Sequence, residues 1–188
     1  MKGRTEAAAV FLDRDGTILR DVGYLSRQEQ IEILPRVPEA IRLLRKKGYK
    51  IVVVTNQSAV ARGRLSEEQL KRIHEEMRAR LAAAGATLDA VYYCPHHPSE
   101  GVPAYRILCD CRKPNTGMIR RASEELGLEP ARSYVVGDQA IDMELAVRAG
   151  ASGIWLCDSG SAQESVAGGT FRLARDLWDA AQWIAANF

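Results

Sequence analysis

Five short apolar runs, separated by segments with helical spacing, constrain the fold more than any other feature of this chain. The runs cover residues 8–12, 50–55, 90–94, 133–136 and 153–157. Short apolar runs without polar alternation are typical of parallel strands that are buried on both faces. The sequence therefore predicts an α/β fold with a doubly wound, Rossmann-like parallel sheet and a ligand site at the carboxyl ends of the strands.

Three segments between or after these runs repeat apolar residues at helical spacing. The first follows Ser66 and Gln69, which match a capping box. The second spans 118–126 and is expected to stop at Gly127, and the third lies at 177–184. Helices at these positions would cover the faces of the predicted sheet.

The chain length favours a single domain. Its 188 residues are enough for one domain with a sizeable core, and we predict one domain over residues 1–188. Residues 18–35 and 95–114 fit neither a strand nor a helix and follow the first and third strands. Neither segment is long enough for a separate cap domain, so loops alone are expected to close the site.

Charge and hydropathy argue against two classes of partner. The formal net charge is +2, and the basic residues are dispersed, so no nucleic-acid partner is expected. No apolar run reaches the length of about 18 residues that a membrane span needs. With no signal peptide recognised at the N-terminus, the chain is predicted to be a cytoplasmic monomer.

The first strand runs into an acidic pair, Asp13 and Asp15, followed by Gly16. If the two carboxylates converge, a divalent cation such as Mg²⁺ is the simplest way to offset their repulsion. Such a cation would also screen a phosphate dianion from an anionic nucleophile, which permits an aspartyl-phosphate intermediate. The motif alone is a weak signal, because turns favour Asp and Gly.

Further strand ends supply the groups that this chemistry needs. Thr55 ends the second strand with a hydroxyl, and Lys113 follows the third loop with a cation for developing charge. The fourth strand ends at Asp138. Asp142 lies four residues later and either supports the site residues from behind or simply belongs to the first turn of a helix. For Arg14, the residue between the two acids, the sequence leaves open a role as only a surface or loop residue.

These elements resemble the four motifs of the haloacid dehalogenase (HAD) superfamily. The resemblance implies that Asp13 is the nucleophile and that Asp15 is the acid–base partner. It also implies that Thr55 and Lys113 hold the phosphoryl group. Magnesium would be bound by Asp13, Asp138 and the backbone carbonyl of Asp15.

Cysteines and histidines cluster around residues 94–111. Cys94, Cys109 and Cys111 together with one imidazole would make a closed tetrahedral set suited to structural Zn²⁺. Spacing alone leaves His96 and His97 as alternative ligands. Because the loop ends at Arg112 and Lys113, bound zinc would hold two candidate phosphate contacts in place.

Several segments resemble the D-glycero-D-manno-heptose 1,7-bisphosphate 7-phosphatase family in more detail. The resembling segments are FLDRDGT at 11–17, VTNQSAVARG at 54–63, YYCPHHP at 92–98, CDCRKP at 109–114 and VGDQAIDM at 136–143. The resemblance implies hydrolysis of a phosphorylated sugar and zinc ligation by Cys94, His96, Cys109 and Cys111. It further implies substrate contacts from Asp21, Gly23, Tyr24, Asn56, Gln57, Ser58 and Arg112. Ala59 and Gln139 depart from the family, which more often has Gly and Lys there.

Four alternatives compete with this interpretation. Histidinol-phosphate phosphatase shares the chemistry and a similar zinc loop, and Asp21 could face its cationic substrate. A polynucleotide 3′-phosphatase would need a basic patch that the sequence lacks. A non-catalytic, zinc-stabilised binding module would not need the nucleophile Asp13. A phosphate-accepting signalling domain would keep its phosphoaspartate, whereas Asp15 is placed to hydrolyse it.

Overall fold

A single parallel sheet organises the described part of the protein. The computed structural model describes residues 7–157 and 171–187. Six strands lie in the order β3-β2-β1-β4-β5-β6, and each adjacent pair is parallel. They are β1 Ala9–Leu12, β2 Lys50–Asn56, β3 Ala90–Cys94, β4 Tyr134–Gly137, β5 Ser152–Leu156 and β6 Arg172–Ala174. The five predicted strands are all present, and their bounds differ from the prediction by no more than one residue.

Helices connect the strands. They are α1 Val37–Lys46, α2 Ser58–Ala61, α3 Glu67–Ala83, α4 Gly117–Leu126, α5 Ala140–Ala149 and α6 Leu177–Ala186. The predicted capping box is confirmed, because Ser66 Oγ accepts from the Gln69 N–H at 3.1 Å and Gln69 Oε1 accepts from the Ser66 N–H at 2.8 Å. Gly127 ends α4 with a φ of +65°, as its position predicted.

The sheet is covered by helices on both faces. Alternate residues of β1 face opposite sides, so Val10 and Leu12 join one hydrophobic core and Ala9 and Phe11 join the other. Helices α1, α3 and α6 pack into the first core, and α4 and α5 pack into the second. Burial on both faces explains why the strands read as continuous apolar runs.

The strand order places the site. Because β1 lies between β2 and β4, the direction in which successive strands are added reverses at β1. Open parallel sheets bind ligands at such a switch point, beyond the carboxyl ends of the strands. The loops after β1, β2, β3 and β4 therefore meet at one edge of the sheet.

Some elements differ from the sequence-based expectation. Helices α1 and α2 and the three-residue strand β6 were not predicted, and α5 was anticipated only as one alternative for the position of Asp142. Pro38 lies in the first turn of α1, where a missing backbone donor costs little, but it interrupts the apolar pattern. In the described ranges, loops 18–35 and 95–114 carry no inserted domain. None of the described helices is both long and apolar enough to span a bilayer.

Candidate active site

Strand β1 delivers Asp13 to the carboxyl edge of the sheet, where its side chain is only 8% exposed. The Oδ1 atom accepts the backbone N–H of Arg14 at 2.7 Å and lies 2.9 Å from Lys113 Nζ. Among the described residues, no hydrogen bond goes to Asp13 Oδ2. One oxygen is therefore held in place while the other is available to an electrophile or a metal.

Gly16 allows the chain to turn directly after the acidic pair. Its φ is +75°, which an L side chain rarely adopts, and a Cβ at this position would overlap the carboxylate of Asp138. The glycine therefore permits both the turn and the close approach of this loop to the end of β4.

Lys113 is the centre of the charge arrangement. Its Nζ lies 2.9 Å from Asp13 Oδ1 and 2.6 Å from Asp142 Oδ1, and its side chain is 2% exposed. Burial alone would lower the pKa of Lys113, but the two facing carboxylates outweigh it and raise the pKa above its usual range. Burial raises the pKa of Asp142, and the charge of Asp13 adds to this effect, although the Lys113 ammonium opposes it. Lys113 therefore stays protonated at neutral pH.

Asp142 combines the two roles that the sequence left open. It lies in the first turn of α5 and also forms the ion pair with Lys113. Gly137, at the end of β4, leaves room for it, since a Cβ there would overlap the Asp142 carboxylate. Asp142 therefore orients the lysine from behind while Asp13 faces the open side.

A third carboxylate completes a set that suits a divalent cation. Oxygens of Asp13, Asp138 and Asp142 all lie within 4.8 Å of one another. The Oδ1 atom of Asp138 is buried without a hydrogen-bond partner, and burial and the charges of Asp13 and Asp142 raise its pKa to about 7. Three carboxylates face one lysine, which leaves an excess negative charge. The orphaned oxygen and this excess charge fit Mg²⁺ at the carboxyl edge.

Asp15 lies apart from this cluster and is held by Arg14. The guanidinium of Arg14 donates from Nε to Asp15 Oδ1 at 3.0 Å and from Nη2 to Asp15 Oδ2 at 2.8 Å. Arg14 lies in a loop but not at the surface, because its side chain is only 1% exposed. Arg14 is therefore a buried cation that pairs with Asp15.

The segment after β2 lines the same site. Thr55 is buried, and its Oγ1 accepts from Gln57 Nε2 at 2.9 Å. Gln57 Nε2 also donates to Asp15 Oδ2 at 3.0 Å. The Gln57 amide therefore joins the predicted phosphate-binding hydroxyl to the predicted acid, and Ser58 follows it as the first residue of α2.

The side chain of Asn56 forms hydrogen bonds with the protein backbone. Its Oδ1 accepts the Lys113 N–H at 3.0 Å, and its Nδ2 donates to the Lys113 carbonyl at 3.2 Å. This two-way pairing fixes the start of the Lys113 segment against the end of β2. The predicted contact between Asn56 and a substrate stays a prediction.

Three predicted substrate contacts, Asp21, Gly23 and Tyr24, lie in the loop after β1. Asp21 is exposed, and its Oδ1 accepts the Gly23 N–H at 2.7 Å. Tyr24 stacks against Arg64, whose Cζ lies 4.2 Å from the ring centroid. This loop is therefore ordered by a local hydrogen bond and by the contact of Tyr24 with the loop after α2, and its role in substrate binding stays a prediction.

The four predicted zinc ligands converge. Cys94, Cys109 and Cys111 have mutual Sγ distances of 3.2 to 3.5 Å, and His96 Nδ1 lies 3.4 Å from Cys111 Sγ and 3.8 Å from Cys94 Sγ. Tetrahedral zinc with Zn–S bonds of about 2.3 Å needs sulfur atoms roughly 3.8 Å apart. Burial raises the pKa values of Cys94 and Cys111. The donor types and spacing fit Zn²⁺, which would hold these thiols as thiolates.

The structure distinguishes the two histidines. The Nδ1 atom of His97 accepts the N–H groups of Ser99 and Glu100 at 3.3 and 3.0 Å, away from the thiols. His96 therefore completes the cluster. Arg112 donates from Nη1 to the His96 carbonyl at 2.9 Å, so a predicted substrate contact is fixed to the ligand-bearing loop.

Hydrogen bonds also tie strand β3 and the loop that carries the cysteines to α3. Glu67, the first residue of α3, accepts from the hydroxyl of Tyr93 at 2.7 Å and from that of Tyr105 at 2.8 Å. Tyr93 belongs to β3 and Tyr105 to the loop. One carboxylate therefore joins the strand, the loop and the helix.

Sequence analysis missed His74, which lies on α3 in contact with Arg14. Its Nε2 is 3.1 Å from Arg14 Nη1, and the residue is 6% exposed. The only available signal was a polar residue on the apolar stripe that contains Ile73 and Met77. A buried histidine on such a stripe needs a partner, but the sequence does not say which.

Comparisons with known proteins agree with the geometry. A family model described as haloacid dehalogenase-like hydrolase matches residues 10–89, and a second, HAD-hydrolase-like model matches residues 110–180. The D-glycero-β-D-manno-heptose-1,7-bisphosphate 7-phosphatase of Escherichia coli K12 is 48% identical over 141 residues. That match covers 75% of this chain and 74% of the E. coli protein.

Solved structures give the same result. A HAD-like phosphatase from Mesorhizobium loti superposes with a TM-score of 0.85 at 33% identity, covering 99% of this chain and 91% of that one. The D,D-heptose 1,7-bisphosphate phosphatase of B. bronchiseptica, complexed with magnesium and phosphate, superposes with a TM-score of 0.80 at 29% identity. That match covers 96% of this chain and 99% of the other. The chain therefore belongs to the haloacid dehalogenase superfamily and, within it, to the D-glycero-β-D-manno-heptose 1,7-bisphosphate 7-phosphatase family.

Proposed function

We propose that this phosphatase removes the 7-phosphate of D-glycero-D-manno-heptose 1,7-bisphosphate in a magnesium-dependent reaction through a phospho-Asp13 intermediate. The observation that carries the proposal is the buried Lys113 ammonium, which bridges Asp13 and Asp142 beside the unpartnered oxygen of Asp138. This arrangement can accept a phosphate dianion next to a carboxylate nucleophile. Family membership supports the choice of a heptose bisphosphate as the substrate.

In the first step, Asp13 Oδ2 attacks phosphorus and the bond between phosphorus and the sugar oxygen breaks. Lys113 fixes Asp13 Oδ1 and faces the charge that develops on the phosphoryl oxygens. Thr55, with its hydroxyl buried near Gln57, adds a further polar contact to that group. The leaving sugar oxygen takes its proton from Asp15.

In the second step, Asp15 acts as a base. It takes a proton from a water molecule, whose oxygen attacks phosphorus and displaces the Asp13 carboxylate. Inorganic phosphate leaves, and both carboxylates return to their starting forms. The hydrogen bonds from Arg14 and Gln57 hold Asp15 in one orientation for both transfers.

Asp13, Asp138 and the backbone carbonyl of Asp15 are the proposed magnesium ligands. Bound Mg²⁺ supplies charge neutralisation, so that a phosphate dianion can approach an anionic nucleophile. Asp142 is committed to Lys113, with 2.6 Å between Oδ1 and Nζ, and supports the site from behind.

Cationic and polar groups at the rim support a substrate with a second anionic group. Among the described residues, the only hydrogen bond of the Arg112 side chain goes to the His96 carbonyl, which leaves guanidinium donors for a sugar hydroxyl or the second phosphate. In the loop after β1, Asp21 is exposed and Tyr24 stacks on the Arg64 guanidinium. We propose Arg112, the loop at Asp21 to Tyr24, and Ser58 as substrate contacts.

We further propose that Zn²⁺ bound by Cys94, His96, Cys109 and Cys111 has a structural role. Four protein ligands leave no open coordination position, so the ion would take no part in the chemistry. Its proposed role is to hold Arg112 and Lys113, which follow Cys111 directly. The monomeric state and the cytoplasmic location stay predictions.

Substrate preference is the first measurement. We expect phosphate release with Mg²⁺ to be about 100-fold more efficient in kcat/KM for one anomer of heptose 1,7-bisphosphate than for histidinol phosphate. Preference for histidinol phosphate would keep the mechanism and overturn the proposed substrate. No release from either substrate, or from 4-nitrophenyl phosphate, would overturn the mechanism as well.

Asp13→Asn should abolish turnover because the amide cannot attack phosphorus. We expect kcat to fall by about 10⁴-fold or more while the near-UV circular dichroism spectrum stays unchanged. The control for loss of a carboxylate is Glu68→Gln, since Glu68 is 74% exposed and pairs with Arg72 on the surface of α3. Equal losses in the two variants would contradict the role of Asp13.

Magnesium should stabilise the protein in a pH-dependent way. Without metal, the pKa of Asp138 is raised from 3.8 to about 7, so its contribution to stability is present below pH 3.8 and lost as the pH rises through 7. Because Mg²⁺ binds the ionised carboxylate, it should raise the melting temperature by about 2–5 °C at pH 8 and by much less at pH 5. Asp138→Asn should remove this difference, and an equal shift at both pH values would contradict it.

Removing zinc should destabilise the protein. With a zinc-selective chelator and excess magnesium, we expect the melting temperature to fall by about 10 °C. Cys111→Ser should lower the bound zinc measured by mass spectrometry, whereas Cys157→Ser, outside the cluster, should retain it. Immediate loss of activity at an unchanged melting temperature would argue against a structural role.

A further inference from the structure

His74 contacts the acid–base group through Arg14. Its Nε2 lies 3.1 Å from Arg14 Nη1, on the buried face of α3. A guanidinium has hydrogen-bond donors and no acceptor, so the histidine nitrogen must accept this bond. The contact therefore requires a neutral His74 ring with its proton on Nδ1.

Arg14 has little freedom once His74 is in place. Its Nε and Nη2 donate to the two oxygens of Asp15 at 3.0 and 2.8 Å, and its Nη1 donates to His74. The three contacts define the plane of the guanidinium. Because the Arg14 side chain is 1% exposed, water cannot readily replace a lost acceptor.

We propose that His74 is a positioning residue for Asp15: by accepting from Arg14, it fixes the guanidinium plane and thereby the orientation of the Asp15 carboxylate. This inference rests on the proposed function, in which Asp15 protonates the leaving oxygen. His74 itself touches neither the substrate nor the reacting atoms.

The surroundings of His74 keep it an acceptor at every working pH. Burial, followed by the charge of Arg14, lowers its pKa to about 3. Its ring lies 5.6 Å from that of Tyr93, whose hydroxyl donates to Glu67 on the same helix. His74 is therefore a fixed support and not a pH switch.

The dependence of the rate on the leaving group separates this role from simple packing. A basic alcohol leaving group needs a proton from Asp15, whereas 4-nitrophenolate leaves without one. Misorientation of Asp15 should therefore slow alkyl phosphates much more than 4-nitrophenyl phosphate. The ratio kcat/KM is the right quantity because it reports the steps up to formation of phospho-Asp13.

The experiment measures kcat/KM for a series of substituted phenyl phosphates and for the heptose bisphosphate. In His74→Phe, which offers no acceptor, we expect a loss of less than about 3-fold with 4-nitrophenyl phosphate and about 10- to 100-fold with the sugar phosphate. His74→Gln should restore the wild-type dependence, because its Oε1 can accept from Arg14. His74→Leu is a second variant without an acceptor if the phenylalanine does not fit.

Met77→Leu is the matched control. Met77 is fully buried on the same face of α3, so its replacement perturbs packing and leaves the Arg14 contact in place. It should shift the melting temperature and leave the leaving-group dependence unchanged. An equal loss for all leaving groups in His74→Phe and His74→Leu, or no loss in either, would overturn the positioning role. Failure of the wild-type protein to hydrolyse any phosphate would instead overturn the proposed function.

Discussion

The rest of the site depends on one interaction, the pairing of the buried Lys113 ammonium with two carboxylates. Placing a lysine at 2% exposure is costly, and only close carboxylates can offset the lost hydration. Asp13, directly after β1, and Asp142, in the first turn of α5, provide this compensation. Removing either partner would leave a buried charge with half of its compensation, so folding and catalysis share the same electrostatic requirement.

The parallel sheet meets this requirement at little structural cost. Side chains that lie far apart in the sequence become neighbours because β1 is inserted between β2 and β4. Asp13 and Lys113 are separated by 100 positions along the chain, and Asp13 Oδ1 lies 2.9 Å from Lys113 Nζ. Glycines at 16 and 137 then allow the backbones to approach without displacing the carboxylates.

Much of this arrangement could be predicted from the sequence, because the responsible signals are local. Continuous apolar runs gave the strands, and Asp13 and Asp138 follow directly from strand ends. The thiols of the zinc loop could be recognised from residue type and spacing. The choice between His96 and His97 could not be predicted, because it depends on a local turn in which His97 accepts backbone N–H groups.

Long-range partners of polar residues were the main information that the sequence lacked. Arg14 looked like an exposed loop residue, and its burial depends on the packing of α3 against the first loop. His74 was hidden in an apolar stripe for the same reason. Asn56 was predicted to contact substrate, yet its side chain pairs with the backbone of a residue 57 positions away. Residue type indicates that a partner is needed, and only the fold identifies it.

The paired contact between Asn56 and the Lys113 backbone has a mechanical consequence. It joins the end of β2 to the start of the lysine segment through one side chain and two hydrogen bonds. Thr55, directly before Asn56, and Lys113 therefore lie on two segments whose relative position depends on a single amide. A substitution at Asn56 that removes both bonds would alter the spacing between these two proposed phosphate-binding residues without changing either of them.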